Sequence, residues 1–114
     1  LDDLADNAVM VTAQELEALF SDQTHSGKYY ERRIWYVYRE SNSPDGQIVG
    51  SGGPTARPDT WKWSGSWKIE GGEICRKYDE GFNCEPVYRV GAVYQLIDDH
   101  DKVLTEFTVD TNSP

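Results

Sequence analysis

The chain has 114 residues, a length at which one domain with one hydrophobic core is usual. Its formal net charge of −9 would repel phosphate backbones and anionic lipid surfaces, which argues against nucleic acid as a partner. No apolar run approaches the roughly 20 residues that a membrane-spanning helix needs. Four Trp, seven Tyr and three Phe carry much of the apolar mass, and this composition favours strands over helices.

The first predicted element is a helix over residues 13–20, after an acidic and irregular segment over residues 1–11. Thr12 is placed to cap this helix, and Glu15, three residues on, completes a capping box. Three apolar residues then fall on one helix face: Leu16, Leu19 and Phe20. We expect this face to cover the end or the face of a sheet.

From Lys28 onward, short β-rich segments recur between turn signals, as in a meander. The predicted strands are residues 29–39, 47–51, 60–63, 67–70, 73–78, 84–90, 92–97 and 103–109. The segment from Gly52 to Pro58 holds two prolines and two glycines and is predicted to be the longest loop. Gly91 suggests a bulge or bend, and the tail, residues 110–114, is expected to be frayed.

Gly71-Gly72 predicts a two-residue hairpin turn, because both central positions of such a turn favour positive φ. In the resulting register Ile69 faces Ile74 and Trp67 faces Arg76, and the latter pair would place a guanidinium over an indole ring.

Apolar residues occur on both faces of the late strands, which favours a closed or doubled sheet. We therefore expect a mainly β fold: an antiparallel meander closed into a small barrel or sandwich, with one N-terminal α-helix, in a single domain over residues 12–109. The alternative is an α+β fold in which the helix packs on one curved antiparallel sheet, as in cystatin-like folds.

Cys75 and Cys84 enclose eight residues that span a turn, so paired strands would bring them within reach of a disulfide. A redox pair is disfavoured because such cysteines usually sit two residues apart before a helix, and zinc would need two further ligands. A disulfide points to a periplasmic or extracellular location. The chain begins at Leu1 without an initiator Met, which is compatible with removal of a signal peptide and with trimming at a domain boundary.

No residues form a recognisable catalytic or metal-binding pattern. His25 and His100 lie in polar surroundings without a nucleophile nearby in sequence, and isolated histidines of this kind are mostly surface residues. The turn Asp98-Asp99-His100-Asp101 is rich in oxygen ligands, but Val103 and Val109 stand where a calcium-binding EF-hand has glycine and glutamate. We therefore expect no enzyme, no metal and no cofactor.

The tryptophans are the candidate ligand-binding residues. Alternate residues of a strand share a face, so Trp61 and Trp63 should point together. With Trp35 and Trp67 they either fill the core or line an aromatic groove that stacks on a ligand or on a partner's side chain.

Several segments together resemble a domain-of-unknown-function family of small exported proteobacterial proteins. They are Asp45-Gly46, Gly65-Ser66-Trp67-Lys68-Ile69, Glu73-Ile74-Cys75 and Cys84-Glu85-Pro86-Val87-Tyr88-Arg89-Val90-Gly91. The resemblance covers residues 12–109 and implies an envelope location, a lipocalin-like or similar small β fold and no catalytic residues. The chain departs from the family's pattern in its long loop from Gly52 to Pro58 and at Asp101-Lys102, where Asp-Gly is usual.

A second segment, Ser26-Gly27-Lys28-Tyr29-Tyr30, is similar to the Ser-Gly-x-x-Tyr loop of periplasmic lysozyme inhibitors. Taken together, the sequence predicts an exported, non-catalytic protein that binds a small ligand or a basic protein partner through an aromatic groove or an acidic surface. The alternatives are a protein inhibitor or immunity-type protein, and a small hydrolase or isomerase that uses His25 or His100.

Overall fold

A computed structural model describes residues 1–110, which form one helix and ten strands in a single antiparallel sheet. In chain order the elements are β1 (Val9–Met10), α1 (Ala13–Phe20), β2 (Gln23–Glu31), β3 (Ile34–Asn42), β4 (Gln47–Gly53), β5 (Trp61–Glu70), β6 (Glu73–Lys77), β7 (Asn83–Glu85), β8 (Val87–Val90), β9 (Val93–Ile97) and β10 (Val103–Val109). The strand order across the sheet is β1-β8-β9-β10-β2-β3-β4-β5-β6-β7. The expected mainly β fold with one N-terminal helix is confirmed, whereas most of the tail expected to be frayed lies outside the described residues.

The sheet curls into a half-barrel, and Pro86 marks the place where its ends approach each other. Only this residue separates Glu85, the last residue of edge strand β7, from Val87 at the start of β8 near the opposite edge. Two successive Cα steps span at most about 7 Å, so the two ends of the sheet lie close together here. The predicted single strand over residues 84–90 is therefore wrong. Proline lacks the N–H that would continue the ladder, which suits this break.

The predicted strand over residues 29–39 is also wrong, because it is a hairpin. Its turn is Arg32-Arg33, with φ values of 53° and 68°, and Glu31 pairs with Ile34. Such turns favour Asn-Gly, so two arginines conceal the hairpin. Strand β2 begins earlier than expected, at Gln23, and places the Ser26 to Tyr30 segment inside a central strand paired on both sides.

The other strand boundaries differ in smaller ways. Strand β4 extends to Gly53, and the segments predicted over 60–63 and 67–70 form one continuous strand, β5. Gly91 lies in the turn between β8 and β9, with φ of 61°, rather than in a bulge. The N-terminal segment, expected to be irregular, contains β1, which pairs with β8.

The central hairpin and the disulfide are confirmed. Gly71 and Gly72 have φ values of 62° and 78°, and the register joins Ile69 to Ile74 and Trp67 to Arg76. Cys75 and Cys84 are direct partners in the β6–β7 ladder and form a disulfide. The Arg76 guanidinium, expected over Trp67, instead lies 5.8 Å from the ring centroid of Tyr78.

The helix covers part of the concave face of the half-barrel. Its capping box is complete, because the Thr12 hydroxyl accepts from the Glu15 N–H and the Glu15 carboxylate accepts from the Thr12 N–H. The helix packs against β2, β5 and β6, and its buried residues join the hydrophobic core. The buried core residues are Val11, Leu16, Leu19, Phe20, Tyr38, Ile48, Trp67, Ile74, Val87, Leu96 and Phe107. Within residues 1–110, no helix has the length and apolar character needed to cross a membrane.

Candidate functional site

The concave face holds a cavity of about 580 Å³ with residues of six strands and their flanks around it. Its walls are Tyr29, Tyr30, Glu31, Tyr38, Glu40, Trp63, Arg76, Tyr78, Asn83, Glu85, Leu104 and Thr105. Aromatic rings and carboxylates dominate this set. The cavity thus combines apolar surfaces with a small number of charged groups, as small-molecule sites commonly do.

Two glycines of β4 make room for the Trp63 indole. In the ladder, Gly50 stands between Glu40 on β3 and Trp63 on β5. A Cβ atom at Gly50 would lie 2.6 Å from the Trp63 Nε1 atom, and one at Gly52 would lie 2.6 Å from its Cη2 atom. Side chains at these positions would therefore collide with the ring, and their absence lets the indole lie across β4 and reach Glu40.

Glu40 is the centre of the site. Its residue surface is only 5% exposed, and its Oε2 atom accepts hydrogen bonds from the Trp63 indole N–H at 2.8 Å and the Tyr78 hydroxyl at 2.6 Å. The Arg76 Nη1 atom lies 3.9 Å from its other oxygen, Oε1. A buried carboxylate is stable only when such partners replace its lost hydration. Glu40 therefore fixes the positions of three cavity side chains.

Arg76 connects Glu40 to the edge strand β7. Its Nη2 atom lies 3.3 Å from the Glu85 Oε1 atom, and its Nη1 donates to the Tyr78 hydroxyl at 3.4 Å. The disulfide pair lies between the ladder pair of Arg76 with Asn83 and the pair of Ile74 with Glu85. The covalent link thus holds the Glu85 carboxylate beside the guanidinium. The Arg76 Nε atom is buried without a hydrogen-bond partner among the described residues.

The hydroxyls of two cavity tyrosines, Tyr29 and Tyr38, stay protonated at neutral pH because the pKa of each is raised. Burial raises the pKa of Tyr29, and the charges of Glu31 and Glu40 raise it further. Burial is also the main cause that raises the pKa of Tyr38, which is 8% exposed, and the charge of Glu40 adds to it. Both hydroxyls therefore keep their protons and remain hydrogen-bond donors.

Of the four tryptophans predicted to bind a ligand, Trp63 lines the cavity. Trp67 is 7% exposed in the core, where its indole N–H donates to the Ser43 carbonyl at 3.0 Å. Trp61 shares the concave face with Trp63 but is 46% exposed and packs on Tyr36, outside the cavity wall. Trp35 pairs with Tyr30 on the convex face, beneath the Lys28 ammonium. The four tryptophans thus lie in four different environments, and both alternatives are represented: Trp67 fills the core and Trp63 lines the cavity.

Sequence reasoning missed the polar centre of the site, which is Glu40, Arg76 and Tyr78. One signal was present: Gly50 and Gly52 alternate along a strand, so both face the same side of the sheet. Alternate glycines in a strand mark the close approach of another group, here Trp63.

The two histidines lie away from the cavity wall. His25, expected at the surface, is 2% exposed and packs between Phe20 and Phe107, with ring centroids 4.7 Å and 4.2 Å away. Its Nε2 atom lies 2.8 Å from the Leu19 carbonyl oxygen. A neutral imidazole with its proton on Nε2 therefore donates a hydrogen bond to this carbonyl, which lies in the last turn of the helix. Burial lowers the pKa of His25. His100 is exposed in the β9–β10 turn, 3.7 Å from Asp99.

The acidic β9–β10 turn uses its first carboxylate internally. The Asp98 carboxylate accepts the backbone N–H groups of His100 at 2.8 Å and Lys102 at 3.0 Å, and the bond from Lys102 is the main cause that lowers its pKa. Across residues 1–110, no group of three or more His, Cys, Asp or Glu side chains is arranged to hold a metal ion. The turn is therefore accounted for by its own hydrogen bonds.

The cavity is the feature of the structure whose chemistry bears on function. Its walls supply aromatic faces, tyrosine hydroxyls and carboxylates in excess over cations. Comparison of the chain with protein-family models, curated proteins and solved structures found no match.

Proposed function

We propose that this protein is an exported, non-catalytic binding protein that holds a small ligand in the cavity between Tyr29, Trp63 and Arg76. One observation carries the proposal: a cavity of about 580 Å³, walled by aromatic rings around a buried, hydrogen-bonded carboxylate. Small-molecule sites typically span about 300 to 1,000 Å³ and combine apolar walls with a few fixed polar groups.

The rigidity of the walls supports a binding role. The Trp63 ring lies directly against the glycines of β4, and the Glu40 carboxylate holds both that ring and the Tyr78 hydroxyl by hydrogen bonds. A site that is already ordered loses less conformational entropy when a ligand binds. The ordered side chains of Trp63 and Tyr78 are therefore suited to binding a ligand.

The composition of the cavity wall supports a non-catalytic role. The described residues that line it include no histidine, cysteine or serine, and Glu40 is already occupied by two hydrogen-bond donors and a nearby guanidinium. A hydrolase or isomerase that relies on His25 would need that ring to leave its position between Phe20 and Phe107. In that position the His25 imidazole has no access to a substrate bound in the cavity.

The proposed location, periplasmic or extracellular, rests on the disulfide between Cys75 and Cys84. Stable disulfides form in oxidising compartments and are rare where glutathione and thioredoxin keep thiols reduced.

A thermal-shift experiment with three small probes tests the proposal: choline, N-acetylglucosamine and benzoate, which are a cation, a neutral sugar and an anion. The blocking variant is Asn83→Trp, which places a large side chain at an exposed position of the cavity rim. Its control is Val49→Trp, the same substitution at a residue that is 65% exposed outside this cavity.

We expect at least one probe to raise the melting temperature of the wild type and Val49→Trp saturably, and to leave Asn83→Trp unchanged. A protein that responds to none of the three probes, or an Asn83→Trp variant that responds as the wild type does, would contradict the binding function. Either result would favour the alternative that the acidic surface binds a protein partner.

A further inference from the structure

The cavity carries an excess of negative charge. Its ionisable wall residues, apart from the tyrosines, are three carboxylates and one guanidinium: Glu31, Glu40, Glu85 and Arg76. The guanidinium does not point to an anionic ligand, because it is already engaged by Glu40, Glu85 and the Tyr78 hydroxyl. A ligand therefore meets a wall with two negative charges in excess, in a protein whose formal net charge is −9.

The raised pKa values of the tyrosines agree with this charge distribution. Burial is the largest cause for both Tyr29 and Tyr38, and carboxylates act in the same direction on each hydroxyl, although the charge of Arg76 opposes them at Tyr38. Glu31 and Glu40 raise the pKa of Tyr29, and Glu40 raises that of Tyr38. Negative potential at two hydroxyls of the wall disfavours an anionic ligand and favours a cationic one.

Three aromatic rings of the wall, those of Tyr29, Tyr38 and Trp63, meet at steep angles. The Tyr29 ring lies 5.9 Å from that of Tyr38 at an interplanar angle of 63°, and 6.2 Å from that of Trp63 at 88°. Rings inclined in this way form a corner instead of a flat platform. Corners of aromatic faces are the arrangement in which proteins bind quaternary and methylated ammonium groups, because each ring face carries partial negative charge.

We propose that the ligand of this cavity is a small organic cation with a quaternary or protonated ammonium group, held by the corner of Tyr29, Tyr38 and Trp63 and by the surrounding carboxylates. This inference rests on the proposed function and specifies its ligand class. Aromatic faces and excess carboxylates act together on such a ligand, whereas a neutral sugar uses only the rings and an anion is repelled.

A pair of probes of equal shape isolates the charge. Choline and 3,3-dimethylbutan-1-ol differ in that a quaternary nitrogen replaces a quaternary carbon, so only the first carries a positive charge. We expect isothermal titration calorimetry on the disulfide-bonded protein to give an affinity for choline about tenfold or more above that for the alcohol. Equal affinities would overturn the assignment to a cation.

Two variants then separate the rings from the carboxylates. Tyr29→Leu keeps an apolar wall but removes one aromatic face, and we expect it to weaken choline binding about tenfold while changing the affinity for the alcohol less than twofold. Glu31→Gln removes an exposed carboxylate at little risk to folding and should weaken choline binding about two- to threefold. The matched control is Tyr88→Leu, the same substitution at a half-buried tyrosine of β8 outside the cavity wall, which should leave both affinities unchanged.

The outcomes distinguish this inference from the function on which it rests. Binding of N-acetylglucosamine or benzoate in the cavity without binding of choline would overturn the ligand class and leave the binding function standing. An unchanged choline affinity in Tyr29→Leu would remove the aromatic corner from the proposal. Failure of every probe would contradict both proposals.

Discussion

The indole N–H of Trp63 donates a hydrogen bond of 2.8 Å to the carboxylate of Glu40, two strands away across Gly50. The two residues are 23 positions apart in the chain, and their contact depends on the missing side chain between them. This hydrogen bond orders one wall of the cavity. It requires a carboxylate at Glu40, an indole at Trp63 and no side chain at Gly50.

Replacement of the indole donor should destabilise the fold. Trp63→Phe keeps an aromatic ring but leaves the buried Glu40 carboxylate with one hydrogen-bond donor fewer, so we expect a loss of about 1 to 3 kcal/mol in the free energy of unfolding. Urea denaturation measures this loss. Trp35→Phe, on the convex face, is the control and should cost less than about 0.5 kcal/mol. Equal effects of the two substitutions would show that the Glu40 bond is unimportant.

The absence of a side chain at Gly50 should be equally important for the stability of the fold. Gly50→Ala places a Cβ atom 2.6 Å from the Trp63 Nε1 atom and 2.7 Å from the Glu40 Cγ atom, and we expect a cost of about 1 to 3 kcal/mol from this overpacking. The neighbouring substitution Ser51→Ala is the control. Introducing Gly50→Ala into a Trp63→Leu background should cost clearly less, since the clash with the indole is gone and only the contact with the Glu40 Cγ atom remains. Additive costs in this double-mutant cycle would contradict the steric explanation.

Loss of the disulfide should loosen the site as well as the fold. The enclosed loop is short, so removing the link between Cys75 and Cys84 should lower the free energy of unfolding by about 2 to 3 kcal/mol. It also frees β7, and with it the Glu85 partner of Arg76. Chemical denaturation of the Cys75→Ala/Cys84→Ala variant measures the first effect, and amide hydrogen exchange of residues 83–85 measures the second.

Reducing agent provides the control for that experiment. It should destabilise the wild type, whose Cys84 is exposed, and should leave the double variant unaffected. Unchanged exchange in β7 after reduction would show that the ladder alone holds this strand.

The stability of the fold should fall in mild acid because of His25. Burial lowers the pKa of its imidazole in the folded protein, although the bond to Leu19 and the charge of Glu40 oppose this effect. Between the lower folded-state pKa and an unfolded-state pKa of about 6.5, the unfolded chain binds the proton that the folded protein excludes. Stability therefore rises with pH through this window, by at most about 1.4 kcal/mol per pH unit from this group.

Urea denaturation between pH 7 and pH 5 tests this expectation. His25→Gln should flatten the dependence in that range, while His100→Asn, at an exposed turn residue, should keep it. A slope that persists in His25→Gln would assign the effect to other groups, such as the carboxylates with lowered pKa values.

Local signals predicted the parts of this fold that depend on neighbours in the chain. The capping box joins residues three positions apart, the Gly71-Gly72 turn needs only two residues that accept positive φ, and the disulfide spans nine positions. In each case the stabilising interaction closes within a short segment, so the pattern of residues contains most of the information. The position of the glycine turn sets the register of the β5–β6 hairpin, and the next turn brings Cys84 opposite Cys75.

The hairpin at Arg32-Arg33 and the break at Pro86 were not predicted, because neighbouring strands enforce them. Both arginines adopt a backbone conformation that they do not favour alone, and the long pairing of β2 with β3 compensates for it. A single proline inside a β-rich run indicates an edge or a break, but it does not say that the chain then joins the other end of the sheet.

The amino-acid sequence by itself thus determined the mainly β class, the N-terminal helix, the central hairpin and the disulfide between Cys75 and Cys84. The tertiary structure decided which side chains meet in the cavity. Glu40 and Tyr78 are 38 positions apart and come together because strands β3 to β6 lie side by side in a curled sheet. Their contact depends on the curl of the whole sheet and on the space left by two glycines, and both of these are properties of the assembled strands.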